Sequence, residues 1–290
     1  MSRTSLDPEQ LQAFRDRAFL IGQDRQLNSA EEAVEYVNQR GFVFFWPIKG
    51  VLFPSLWTAA AGDRPVPDEH DDPGHKTWGW KDSLLGQRRW YYGRVLHRRN
   101  AMVSLAAAPY FYALTENYGS PEEDYLLQYE QGRLTLEARL VYEALLTSGP
   151  LDTISLRRGA HLTSRDSDGR FNKALDVLQG DFKILPVGIA EAGAWKYAFI
   201  YEITARHFPD LPEQARYISE KEARIYLLRC YFQSMGVAQT GDLTRLFGWK
   251  PGDLEPPLRA LFQAGELVPG VELTGKPGNW IALPDLLRST

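Results

Sequence analysis

The stretch from Leu136 to Ile203 constrains the fold more than any other part of the chain, because its patterns follow one another in a fixed order. Apolar residues at helical spacing begin behind Thr135, a residue type that caps helices, and end at Ser148-Gly149-Pro150. A short helix fits Thr153 to Gly159, and a third helix fits Phe171 to Gly180, whose last residue favours a helix C-terminus. We therefore expect three consecutive helices, the second of them short.

Two strands are predicted directly behind these helices. Phe182 to Ile189 has the composition of a strand, and Glu191 to Ala194 has that of a turn. Aromatic residues then occupy alternate positions of a returning strand: Trp195, Tyr197, Phe199 and Tyr201. Helix, short helix, helix and two strands, in this order, are the elements of a winged helix.

The same order returns near the end of the chain. The corresponding segments are Ala223 to Cys230, Asp242 to Phe247, Leu254 to Phe262, Glu266 to Leu273 and Asn279 to Leu283. Gly265 ends the third helix of this copy, 85 positions after Gly180. A repeat of that length is the size of a domain, so each copy should have its own small core.

These patterns predict an α+β fold that is mainly α with small β wings, arranged as tandem winged-helix domains. Two copies are clear, and a third, divergent copy is expected at the N-terminus. We place the boundaries at 1–130 for a divergent N-terminal unit with an aromatic and basic insertion, at 131–206 for the central winged helix, and at 207–290 for the C-terminal one. The 290 residues, 44% of them hydrophobic and 24% charged, suit two or three folded domains.

Composition also limits the function classes. A net charge of −4 argues against a protein that coats nucleic acid indiscriminately, so a nucleic-acid site must be a local basic patch. The single cysteine, Cys230, excludes an intramolecular disulfide framework and suits a buried thiol. No apolar run is long enough to cross a bilayer, so we expect no membrane partner and a cytoplasmic location.

The N-terminal third contains an aromatic stretch and an acidic loop. Phe42 to Trp57 is dense in aromatic residues but interrupted by two prolines, which favours either a buried, folded-back connection or an aromatic wall with Trp46 beside a ligand pocket. The loop from Gly62 to Lys76 contains Asp71, Asp72 and His75. These residue types bind metals or act in acid-base chemistry, but a solvated loop is the commoner outcome. We predict no metal site and leave Asp71, Asp72, His75 and Glu116 as weak catalytic candidates.

Bases and aromatic rings alternate between Thr77 and Asn100. The basic residues are Lys81, Arg88, Arg89, Arg94, Arg98 and Arg99, and the indole rings are those of Trp78, Trp80 and Trp90. Basic side chains bind phosphates, and aromatic rings stack on unpaired nucleobases. This segment is therefore a candidate for binding DNA, with Trp46 and these three tryptophans as stacking or pocket residues. The alternative is that the arginine stems cover aromatic core residues.

The two winged helices differ in charge. The central copy has bases near the start of its third helix, at Arg165, Arg170 and Lys173, and on the preceding helix, at Arg157 and Arg158. In helix-turn-helix proteins the third helix enters the major groove, so these bases are predicted to contact DNA. The third helix of the C-terminal copy starts instead with Asp253, Glu255 and two prolines, which favours packing on neighbouring elements or on a protein partner.

The serial winged helices, together with an N-terminal helix that leads into Gly41-Phe42-Val43, resemble the AlkZ-type winged-helix DNA glycosylases. These bacterial enzymes unhook interstrand crosslinks and remove alkylated bases, so the resemblance implies DNA repair. In catalytic members this segment continues into a Gln-x-Gln or Gln-x-Asp pair that helps position the hydrolytic water. Phe44 and Trp46 stand at the matching positions here. Neither ring can orient water or stabilise an oxocarbenium-like centre, so the family's chemistry is not expected to transfer.

The sequence thus predicts a DNA-binding protein of tandem winged helices that resembles crosslink-repair glycosylases and contacts duplex or damaged DNA. Cleavage of the N-glycosidic bond is left open. The alternative is a non-enzymatic transcriptional regulator or a scaffold whose winged helices meet protein. A third reading, an enzyme acting on a small molecule near Trp46, lacks any cofactor signature, and we predict no cofactor.

Overall fold

The computed structural model describes residues 5–22, 25–193 and 195–287. Internal contacts divide the chain into two compact units. Unit 1 combines the residues up to 77 with those from 219 onward, and unit 2 comprises residues 78–218. Helices and small antiparallel sheets build both units, which confirms the α+β class. The predicted boundaries after residues 130 and 206 stay predictions, because the division by contacts is coarser.

Unit 2 contains the central winged-helix order. Its elements are α7 (Leu136–Ser148), β5 (Leu151–Asp152), α8 (Thr153–Gly159), α9 (Asp168–Gly180), β6 (Ile184–Ala190) and β7 (Ala198–Ile203). Strand β7 pairs antiparallel with both β5 and β6. The helices pack their apolar faces into one core with residues of the strands, including Val141, Leu156, Leu178 and Ile203.

Local capping fixes where these helices begin. The Thr135 side chain accepts a hydrogen bond from the N–H of Ala138 at the start of α7. The carboxylate of Asp152 accepts bonds from the N–H groups of Ile154 and Ser155 at the start of α8. Both caps satisfy N–H groups that have no partner within their helices.

Unit 1 contains the C-terminal copy. Its elements are α12 (Glu220–Met235), β8 (Val237–Ala238), α13 (Thr240–Phe247), α14 (Pro251–Gln263), β9 (Val268–Leu273) and β10 (Lys276–Ala282). Strand β1 (Ser5–Leu6) extends this sheet by pairing parallel with β9. The first helix follows directly and begins at Pro8, behind the cap Asp7. The sheet takes Leu6 because its side chain is buried in this core with Val271 and Leu286.

The N-terminal part repeats the order once more. Its elements are α1 (Pro8–Phe19), α2 (Ala30–Arg40), β2 (Phe42–Phe44), α3 (Leu56–Ala61), α4 (Lys76–Leu84), β3 (Tyr91–Leu96) and β4 (Arg99–Val103). From α2 to β4 the succession helix, strand, helix, helix, strand, strand is that of α7 to β7 and of α12 to β10. The predicted insertion thus contains a helix and a hairpin at the places in the order that the third helix and the wing take in the other two copies. The division between the two units falls within α4.

Short helices complete unit 2: α5 (Ala108–Tyr112), α6 (Asp124–Glu130), α10 (Thr204–His207) and α11 (Leu211–Ala215). None of the described helices has the length and apolar character that crossing a bilayer requires.

Candidate nucleic-acid interface

The hairpin of β3 and β4 presents bases at its tip. The strands pair antiparallel from Tyr91 opposite Val103 to Leu96 opposite Arg99. His97 and Arg98 connect them with φ angles of 52° and 55°, the left-handed conformation that a two-residue hairpin turn requires. The side chains of Arg98 and Arg99 are exposed. The turn therefore presents two exposed arginines, Arg98 and Arg99, at the hairpin tip.

The hairpin lies against the C-terminal half of α9. Arg94 on β3 forms an ion pair with Asp176, and a side chain at Gly180 would come within 3.7 Å of the Arg94 carbonyl oxygen. Burial raises the pKa of the Asp181 carboxyl, and the charges of Lys183 and Arg98 oppose that shift. Strand β3 thus covers the outward face of α9 from Asp176 onward.

The other half of α9 is open. Phe171, Ala174 and Leu175 are buried in the core of unit 2, whereas the side chains of Asn172 and Lys173 are exposed. We call residues 168–173 the open half of α9. In a helix-turn-helix protein the N-terminal residues of the third helix contact base edges, and these are the residues left uncovered here.

Two of the bases predicted near α9 are used within the protein. Arg157 donates to the Leu162 carbonyl oxygen at 2.8 Å and to the Asp168 carboxylate, and its guanidinium lies over the Phe171 ring at 5.2 Å. These contacts hold the loop between α8 and α9. Arg170 pairs with Glu137 at 3.2 Å, although its side chain is still 61% exposed.

The ten predicted DNA-binding bases therefore fall into two groups. Arg94, Arg157 and Arg170 have carboxylate partners. The other seven have exposed side chains and no ion-pair partner among the described residues; they are Arg88, Arg89, Arg98, Arg99, Arg158, Arg165 and Lys173. Arg88 precedes β3. Burial of His207, together with the positive charge of Arg88, lowers the pKa of His207 to about 4.

A buried lysine organises the aromatic part of the segment. The Lys81 side chain is 1% exposed, and its ammonium group lies 4.6 Å from the ring centres of both Trp78 and Phe199. It donates to the Tyr197 hydroxyl at 2.8 Å and pairs with Asp82 at 2.6 Å. Burial lowers the pKa of Lys81, which the Asp82 carboxylate opposes. This cage joins α4 to the wing of the central copy.

The four predicted stacking residues differ in exposure. The Trp78 side chain is the most accessible at 39%, and one of its ring faces is occupied by Lys81. Trp90 is 2% exposed, and its indole N–H has no hydrogen-bond partner among the described residues. Trp80 and Trp46 are half-buried, and Trp46 stacks on His75 with ring centres 5.7 Å apart.

Of the four catalytic candidates, Asp71, Asp72 and Glu116 have structural partners or lie open to solvent. The Nδ1 atom of His75 is buried and has no hydrogen-bond partner among the described residues. Asp72 accepts two hydrogen bonds from Arg64 and one from the N–H of Gly74, and the Arg64 bonds are the main reason its pKa lies below the usual value. Asp71 is fully exposed beside His70, and Glu116 forms an ion pair with Arg133. No group of three metal-binding side chains occurs in the part of the chain that the structure describes.

Phe44 and Trp46, which the sequence resemblance matches to the family's catalytic pair, are apolar and packed. The Phe44 side chain is 0% exposed, and its ring meets that of Phe53 edge-on at 6.0 Å. Trp46 belongs to a stack with Phe45 and His75. A fully buried phenyl ring has no polar atom to offer to a water molecule, so these two positions supply no amide or carboxylate for hydrolysis.

The sequence patterns did not identify Trp195 as an exposed ring. Trp195 was assigned to the returning strand because it alternates with Tyr197 and Phe199, but that strand begins at Ala198. The Trp195 side chain is 92% exposed. The predicted turn includes Ala194, which lies outside the described residues. Gly193, with a φ angle of 80°, is the signal that marks the turn.

Comparisons with known proteins agree with this fold. A family model described as AlkZ related matches residues 27–248. Among solved structures, the DNA glycosylase AlkZ of Streptomyces sahachiroi matches with a TM-score of 0.61 and 14% sequence identity. The match covers 97% of this chain and 72% of that one. At this identity the likeness establishes the shared fold. A search of curated protein sequences finds no match.

Proposed function

Because the chain belongs to the AlkZ-related family, we propose that it binds duplex or damaged DNA and is related in function to the glycosylases of DNA repair. The proposed binding surface lies in unit 2. It combines the open half of α9, Arg158 and Arg165 beside it, and the hairpin tip with Arg98 and Arg99.

The observation that carries this proposal is the arrangement of bases along α9. Lys173 lies exposed in its open half, and the charge of Arg98 acts on Asp181 directly behind the helix. A helix of 13 residues is about 20 Å long at 1.5 Å per residue. Bases spread over that length suit phosphates on both sides of a major groove about 12 Å wide.

The open half of α9 also has the residue types that read bases. Asn172 is exposed, and an asparagine amide can bind the N6 and N7 atoms of adenine with two hydrogen bonds. Lys173 follows it and can hold a phosphate or a guanine edge. Under this proposal α9 enters the groove by its N-terminal half, since β3 covers the remainder.

We further propose that the protein does not hydrolyse the glycosidic bond through the family's polar pair. Glycosidic hydrolysis requires a group that orients water and stabilises positive charge on the sugar. Phe44 and Trp46 have neither property, and both rings are part of aromatic packing. Binding without cleavage is the function that this combination supports best.

Fluorescence anisotropy with labelled duplexes at increasing salt tests the binding. Wild type should lose affinity as salt rises, and Arg98→Ala with Arg99→Ala should reduce the slope of log K against log salt by about two, since each lost phosphate contact removes about 0.9. Arg259→Ala is the matched control, because Arg259 is exposed on α14 and already paired with Glu255. Absence of binding at low salt would overturn the proposal and favour a protein-binding scaffold.

Incubation with alkylated DNA tests the chemistry. Abasic sites should not rise above the level without protein. Formation of abasic sites by wild type would overturn the absence of hydrolysis while leaving DNA binding intact. Asp72→Asn and Glu116→Gln would then show whether either carboxylate takes part.

A further inference from the structure

The tip of the central wing exposes a tryptophan that has no role in the fold. Trp195 is 92% exposed, more than any other large apolar side chain among the described residues; Tyr217 and Tyr118 follow at 79% and 71%. The Lys196 N–H donates to the Gly193 carbonyl oxygen at 3.2 Å, which closes the turn and places Trp195 near its apex. The turn itself depends on glycine and backbone geometry, so the indole is not needed to form it.

A solvent-exposed indole does not contribute the free energy that burial of its apolar surface would give. A partner that covers the ring explains why tryptophan stands at this position. The neighbouring charges indicate which partner. Lys196 is exposed next to it, and a side chain at Gly193 would meet Ile154 of α8 at 3.6 Å. Arg158 lies one helical turn after Ile154 on α8, and it is exposed.

The wing tip therefore combines one stacking surface with two cations, opposed in the turn by Glu191. A protein partner with an apolar groove would not need the cations, whereas nucleic acid requires both groups: cations for phosphates and a ring for a base. Only a base that has left its stack exposes a face to such a ring. An intact duplex offers the wing its phosphates alone.

We propose that Trp195 stacks on an unpaired or extruded base of DNA held against unit 2, with Lys196 and Arg158 on the flanking phosphates. This rests on the proposed function, because it assumes DNA on this unit. The inference adds to that function the recognition of distorted DNA by one residue, Trp195. Trp78, Trp80 and Trp90 are not required for it.

The test compares an intact duplex with the same duplex carrying one bulged 2-aminopurine, by anisotropy and by 2-aminopurine fluorescence. Wild type should bind the bulged duplex about tenfold more tightly, in line with the effect of removing one stacking aromatic residue. It should also quench the 2-aminopurine. Trp195→Ala should lose the preference and the quenching but keep its affinity for intact duplex. Trp195→Phe should keep most of both.

Tyr217→Ala is the matched control, because it removes another highly exposed aromatic ring of unit 2. It should behave as wild type does. An unchanged preference in Trp195→Ala, or the absence of any preference in wild type, would overturn the inference. Failure of wild type to bind either duplex would instead overturn the proposed function. Far-UV circular dichroism of each variant separates these outcomes from misfolding, which is not expected at so exposed a site.

Discussion

The third helices of the central and C-terminal copies, α9 and α14, show how one architecture carries two different surfaces. Both contain 13 residues and lie between a short helix and two wing strands. The open half of α9 presents Asn172 and Lys173. The first turns of α14 present Glu255 and Pro256, and the only base of that helix, Arg259, is paired with Glu255.

This difference shows that the fold and the binding surface are specified by separate residues. The buried positions of both helices are apolar, and they are sufficient to place the helix against its core. The exposed positions are free to vary, so a winged helix can lose its affinity for phosphate without losing its structure. Under the proposed function, the acids at the entry of α14 would repel DNA phosphates, whereas the basic side chains around α9 would attract them.

Two ion pairs, one in unit 2 and one in the C-terminal copy, differ in burial, and the largest predicted effect concerns the buried pair. Lys81 is buried in unit 2, whereas Arg229 of the C-terminal copy pairs with Glu266 at 2.6 Å with both side chains partly exposed. Lys81→Met should lower the free energy of unfolding by about 3 kcal/mol, because it leaves the Asp82 carboxylate without its cationic partner. Arg229→Ala should cost less than about 1 kcal/mol.

Urea unfolding followed by tryptophan fluorescence measures both variants, and Asp82→Asn combined with Lys81→Met should recover part of the loss. Equal costs for Lys81→Met and Arg229→Ala would show that the buried cage contributes no more than a surface pair does.

The second prediction compares α9 and α14 in DNA binding. Lys173→Glu reverses a charge in the open half of α9 and should weaken binding by at least about tenfold at low salt, through repulsion of phosphate. Arg259→Glu makes the same change in net charge on α14 and should alter affinity by less than about twofold. Anisotropy titrations under identical salt measure both. Equal losses would mean that net charge, and not the α9 surface, governs binding.

Sequence patterns located the helices well and the surface only in part. Thr153 to Gly159 was predicted with the bounds that α8 has, and the structure adds that Asp152, directly before it, caps the helix. The N-terminal copy was harder to recognise, because a long loop separates α3 from α4 and hides the repeated order. Its wing was interpreted as an insertion for the same reason.

The partners of the bases could not be read from sequence spacing. Arg94 and Asp176 are 82 positions apart, and only the packing of β3 on α9 brings them together. Trp90 and Trp195 illustrate the same limit for aromatic rings. Both follow patterns typical of their segments, yet one is buried and the other is almost fully exposed, which depends on tertiary packing that periodicity does not encode.

The smallest predicted effect compares the N-caps of the equivalent short helices, α8 and α13. Hydrogen bonds from the Ser155 hydroxyl and from backbone N–H groups lower the pKa of the Asp152 carboxyl. Because the pKa of Asp152 is lower in the folded state, the stabilisation that its carboxylate gives is complete above the pKa of the unfolded chain, about 3.9. This stabilisation is lost as the pH falls through the pKa of the folded state. Asp152→Ala should therefore cost about 1 kcal/mol at pH 7, and the difference from wild type should shrink towards zero below pH 4.

Gln239, which caps α13, provides the comparison. Its backbone N–H donates to Asp242 at 2.9 Å, a bond that does not need its own side chain. Its side-chain amide donates to the Pro277 carbonyl oxygen at 3.1 Å. Gln239→Ala should therefore cost about 0.5 kcal/mol at pH 7, the low end for one lost neutral hydrogen bond, and this cost should not change with pH because an amide does not titrate. Urea unfolding at pH 7, 5 and 3 measures both variants. An Asp152→Ala cost that persists unchanged at pH 3 would show that Asp152 stabilises α8 through packing and not as an ionised cap.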